Sequence, residues 1–137
     1  MTRSISKKLL AAMVLVVVLN SCKKYDDGPS FSLRSKMNRL TGTWELVSVI
    51  NGSIPTGITF FFEFDKDGDF TWTYDYGQYR YAYSGDWEWE DQKETIEITL
   101  DNEVTEFKVK RLSNKELNIE YSYGNSTQEW QFQKSSN

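Results

Sequence analysis

From Thr43 onward, apolar and polar side chains alternate with a period of two, the signature of strands with one buried face. Trp44, Leu46, Ser48 and Ile50 form the first inward series, and Ile58, Phe60, Phe62 and Phe64 the second. Phe70, Trp72, Tyr74 and Tyr76 follow, then Tyr79, Tyr81, Tyr83, Gly85, Trp87 and Trp89. Ile96, Ile98 and Leu100, the pair Phe107 and Val109, the run Leu117, Ile119, Tyr121 and Tyr123, and finally Trp130 and Phe132 complete eight predicted strands. Turn signals separate them: Lys66-Asp67-Gly68, Gly77-Gln78, Asp91-Gln92-Lys93, Asp101-Asn102, Ser113-Asn114 and Gly124-Asn125. Connections this short join antiparallel neighbours, because a parallel crossover needs a dozen residues or more.

No helical stretch is long enough to cover a sheet; only Ser35 to Leu40 offers a turn of helix before the first strand. Eight meandering strands bury one face and leave no edge only by closing on themselves. The expected fold is all-β, an eight-stranded antiparallel up-and-down barrel over residues 40–135. Of the 21 aromatic residues, eighteen fall on the inferred inward face, with Phe61 on the opposite one. A barrel of this size is filled by side chains or holds one small ligand. So many rings predict a narrow or partly filled cup, with some rings lining its mouth.

The N-terminus is organised differently. Arg3, Lys7 and Lys8 precede an apolar run from Leu9 to Leu19, the pattern of a signal peptide and too short to span a bilayer. The run ends in Leu19-Asn20-Ser21-Cys22, which resembles the lipobox of bacterial lipoproteins. That resemblance implies removal of residues 1–21, acylation of Cys22, and attachment to the membrane through its lipid. Lys23, where many inner-membrane lipoproteins carry Asp, resembles the outer-membrane class, on the periplasmic face or the cell surface. Lys23-Lys24-Tyr25-Asp26-Asp27 is similar to the export signals of surface lipoproteins. Residues 22–39 are polar, with Gly28, Pro29 and several serines, and read as a flexible tether.

Charge and composition then narrow the function. The formal net charge is −4, and without the basic residues of the signal it becomes −7, which excludes nucleic acid as a natural partner. There is no histidine, so the commonest general base and metal ligand are both missing, and the single cysteine excludes an internal disulfide. No enzyme activity, cofactor or metal is expected. Asp65-Lys66-Asp67-Gly68-Asp69 has carboxylates at alternate positions, but Gly68 stands too early and Tyr76 occupies the twelfth place for a calcium loop. It reads as a hairpin turn. Asp86, Glu88, Glu90, Asp91 and Glu94 form an acidic stripe read as a solvated face.

The opening Leu40-Thr41-Gly42-Thr43-Trp44-Glu45-Leu46 resembles the Gly-x-Trp start of lipocalins, and more closely the lipocalin-like domains of bacterial lipoproteins. The resemblance implies that Gly42 and Trp44 mark the closed end of the barrel. Where the family places an Arg to stack on that Trp, the nearest cation here is Lys134, and the family's Thr-Asp-Tyr loop and final helix are missing. With Trp44 at the closed end, the mouth is formed by Asn51–Gly57, Gly77-Gln78, Asp101–Glu103 and Gly124–Ser126. The first of these is the longest and is the candidate lid. The leading expectation is a binding protein for a small apolar or amphipathic ligand, with Trp72, Tyr74, Tyr81, Tyr83 and Tyr121 in the wall. The alternative is an interaction or inhibitor module with a filled barrel, similar in type to lysozyme-inhibiting lipoproteins, whose acidic surface suits a cationic protein partner. Glycan binding on outward rings is disfavoured, since only Phe61 points outward in this register.

Overall fold

A computed structural model describes residues 35–90 and 94–136. The signal 1–21, Cys22, the tether up to residue 34, and Asp91 of the acidic stripe lie outside the described residues.

The chain begins with a short helix, α1 (Lys36–Leu40), followed by eight strands: β1 (Gly42–Ile50), β2 (Thr59–Phe64), β3 (Asp69–Asp75), β4 (Arg80–Glu90), β5 (Thr95–Leu100), β6 (Glu103–Leu112), β7 (Glu116–Tyr123) and β8 (Ser126–Lys134). Each strand pairs antiparallel with the next, and β1 pairs with β8 to close the barrel in sequence order. The expected up-and-down barrel is thus the observed one. α1 starts at Ser35, whose hydroxyl accepts the Asn38 amide (3.2 Å), and stops at Thr41, whose amide and hydroxyl both donate to the Met37 carbonyl. Its Leu40 is fully buried, which stabilises the fold by about 2 kcal/mol. Residues 36–39, expected in the tether, therefore belong to the folded unit.

The interior is aromatic. Phe62 lies at its centre, with Phe70, Trp72 and Phe132 at ring-centroid distances of 5.1, 5.0 and 4.8 Å, mostly edge-on. Trp44, Phe64, Phe70, Trp87, Leu112 and Leu117 fill the end beneath, where α1 packs. The Trp44 indole donates to the Leu40 carbonyl (2.7 Å), and the Trp87 indole to the Asp65 carbonyl (2.8 Å). Trp44, fully buried, and Gly42 at the start of β1 lie at the end of the barrel where α1 joins it.

Two bulges change the inward series. In β1, Leu46 faces Phe132 but Ser48 faces Gln131, so Val47 is an extra residue. Beyond it Val49 turns inward against Trp130, while Ile50, expected inside, is 46% exposed. In β6 the register shifts between Val109 and Arg111, which lets both Val109 and Leu112 reach the core.

Candidate functional site

The mouth of the barrel holds a cup of about 200 Å³. Phe62 is its floor; Leu46 and Val49 of β1, Phe60 of β2, Trp72 of β3, and Trp130 and Phe132 of β8 are its walls; Ile54 and Pro55 of the 51–58 loop lean over it. The polar side chains in the lining are Ser53 and Gln128, one from the loop and one toward the mouth end of β8. The loop contains Asn51–Gly57, the segment whose length and Pro55 make it the candidate lid in the sequence. Asn51 at its start takes a positive φ of 62°, and the loop is fastened to β8: Asn51 Nδ2 donates to the Thr127 carbonyl (3.5 Å) and Gln128 Nε2 to the Asn51 carbonyl (3.4 Å). Gln128 Oε1 accepts the Trp130 indole proton at 3.0 Å, so one side chain joins wall and lid.

The five expected wall residues separate here. Trp72 lines the cup, and its Nε1 is buried without a hydrogen-bond partner among the described residues. Tyr74 stacks flat on Trp72 (5.3 Å, 8°), one step nearer the rim. Burial, then the neighbouring Tyr83 and Tyr76, raise the Tyr74 hydroxyl above the usual tyrosine range. Tyr121 packs against Phe107 and Trp130 and faces a different hollow. Tyr81 and Tyr83 do not line the cup: they are 55% and 50% exposed. The reason is strand length. β4 has eleven residues, but β5 pairs only with Asp86–Glu90, so the upper half of the β3–β4 hairpin projects beyond the fifth strand. Phe60, Trp130 and Phe132 complete the wall over Phe62; alternation places all four inward but does not give their height in the barrel. Val49 was hidden by the bulge.

The tip of that hairpin is tightly tied. Asp75 accepts the Gly77 amide (2.8 Å) and the Arg80 guanidinium (Nε 2.8 Å, Nη2 2.7 Å), which together hold its carboxyl below the usual carboxylate range. Arg80 also lies over the outward ring of Phe61, 6.0 Å from its centroid. Tyr76 and Tyr81 meet edge-on at 85°, not as the coplanar platform a sugar would need.

A second hollow of about 530 Å³ opens sideways between β6 and β7, whose pairing starts only at Lys108 and Glu120. Charged and hydroxyl groups, among them Glu106, Lys108, Glu120 and Ser122, make most of its wall. The Asp65–Asp69 segment is a turn: Gly68, at φ 91°, donates to the Asp65 carbonyl (3.1 Å), and the Asp67 amide donates to the Asp65 carboxylate (3.3 Å). In the acidic stripe, Glu88 and Glu90 are joined by Glu97 of β5, with carboxylate oxygens within 4.8 Å of one another.

No protein-family model matches this chain, and no curated protein matches it in sequence.

Proposed function

We propose that this chain is a lipid-anchored lipoprotein of the outer membrane whose barrel holds one small amphipathic molecule and performs no chemistry on it. The observation that carries the binding part is the cup itself: an apolar hollow over Phe62, with Ser53 and Gln128 as its polar groups and the 51–58 loop leaning over it. Its volume sets the size of the guest. A dry apolar cavity of about 150 Å³ accepts benzene, whereas sites for drug-sized ligands run to about 300–1,000 Å³. About 200 Å³ suits a single ring or a short alkyl chain, with the polar end at Ser53 and Gln128. The anchor rests on Leu19-Asn20-Ser21-Cys22, the chain's single cysteine at the end of its apolar run; more than one acyl chain is what stable attachment requires.

Native mass spectrometry on protein purified gently from its own cells tests the binding reading. The expected result is a stoichiometric extra mass on the order of 100 Da or somewhat more. A bare mass in repeated preparations overturns it. Growth with an alkyne-tagged fatty acid tests the anchor: label on the wild-type chain and none on Cys22→Ala supports it, and an unlabelled wild type refutes it.

A further inference from the structure

The projecting half of β4 carries an interaction surface separate from the cup. Arg80–Gly85 has β3 on one side and, among the described residues, no strand on the other. Gly85 is the point of departure, because the Thr99 carbonyl and Leu100 of β5 press onto its backbone and a Cβ there would overlap both. Hydrogen bonding fixes which groups face outward. The Tyr76 amide donates to the Tyr79 carbonyl (2.9 Å), and below, the Trp87 amide donates to the Gly68 carbonyl (2.9 Å). Odd-numbered residues of β4 thus turn their amides and carbonyls toward β3. In an antiparallel ladder the alternate residues turn theirs the other way. Asp86 uses them on Thr99 of β5, whereas Arg80, Ala82 and Ser84 present theirs at an open edge. Such an edge is a template for another strand.

The surroundings select its occupant. Asp86, Asp101 and Glu103 flank the notch above the end of β5, and all are exposed. The one cation on the edge, Arg80, is already ion-paired with Asp75 at 2.7 Å. Tyr81 and Tyr83 offer exposed rings on which a lysine or arginine stem can lie. A second copy of this acidic chain would set like charges against these carboxylates. We infer that the β4 edge at Arg80–Ser84 receives an extended basic segment of a partner protein, which adds a strand in the position β5 leaves empty.

The test uses the full chain and the peptide acetyl-Lys-Val-Lys-Val-Lys-Val-Lys-amide. The expected result is slower amide hydrogen exchange at Ala82 and Ser84, with Tyr81 and Tyr83, already bonded to β3, unchanged. Binding should weaken several-fold between low and high salt. Ala82→Pro removes one edge amide without touching the β3 ladder, and should weaken binding at least tenfold with an unaltered circular dichroism spectrum. Should that variant not fold, the same peptide N-methylated on its edge-facing amides should show the tenfold loss on the wild type. The inference is overturned by unchanged exchange at saturation, by equal affinity of the methylated peptide, by equal affinity of a glutamate-for-lysine peptide, or by a peptide-free dimer protected at these same amides.

Discussion

The Lys134 ammonium lies 4.6 Å from the centroid of the Trp44 ring and donates to the carbonyls of Arg39 (2.8 Å) and Thr41 (2.6 Å). One cation therefore covers the indole and satisfies carbonyls at the end of α1, positions where helix carbonyls lack internal partners. Gly42 makes room for it: a Cβ there would lie 2.7 Å from Lys134 Cε. Lys134→Met should destabilise the barrel by about 1–3 kcal/mol, the worth of charge-assisted hydrogen bonds lost from a partly buried site. Lys134→Arg should lose less, since it keeps a cation over the ring. Urea unfolding followed by tryptophan fluorescence measures both, and equal losses for the two variants would refute this role for the charge.

Gly85 and Gly77 make a contrasting pair. A side chain at Gly85 would overlap the Thr99 carbonyl, whereas nothing lies within 4 Å of one at Gly77, where only the φ of 86° resists it. Gly85→Ala is expected to cost about 3 kcal/mol or more through forced backbone movement, and Gly77→Ala about 1–2 kcal/mol through left-handed strain. Thermal denaturation of the two variants should preserve that order.

Glu88, Glu97 and Glu106 stand directly opposite one another across β4, β5 and β6. Like charges in such a row repel at strand spacing. Glu97→Gln should raise stability by about 0.2–1 kcal/mol, and the gain should shrink at about 1 M salt, where screening shortens to about 3 Å. A gain that ignores salt would locate its cause outside electrostatics.

The hairpin tip should respond to acid. Asp75 has a carboxyl held low first by the Gly77 amide and then by Arg80, so its contribution is present above the ordinary aspartate value of about 3.9 and disappears as pH falls through the lower folded value. The Gly77 amide resonance should therefore titrate with a midpoint below about 3.9. Asp75→Asn should abolish that titration and increase amide exchange around Gly77 and Gln78 at neutral pH.

Alternation alone carried the strand number, order and closure of this barrel, because a two-residue period admits one buried face and the short turns allow one pairing scheme. Local structure was lost where one residue breaks the period: Val47 reverses the end of β1, and Ile50 looks as inward as Val49 when the bulge is unseen. Alternation puts Tyr81 and Tyr83 on the inward face but does not say how far along β4 the fifth strand follows. A signal was present in the chain, where the fifth inward series stops at Leu100 after three residues while the fourth runs through six positions. Comparing those lengths shows that the hairpin must overshoot its neighbour.

Gln128 gives the cup a latch. Its carbonyl oxygen accepts the Trp130 indole and its amide donates to the Asn51 carbonyl, which leaves one lone pair and one N–H of the same side chain for a further partner. Turning the Gln128 side chain away would cost the wall its indole hydrogen bond and the 51–58 loop one of its two ties to β8, the Asn51–Thr127 bond remaining.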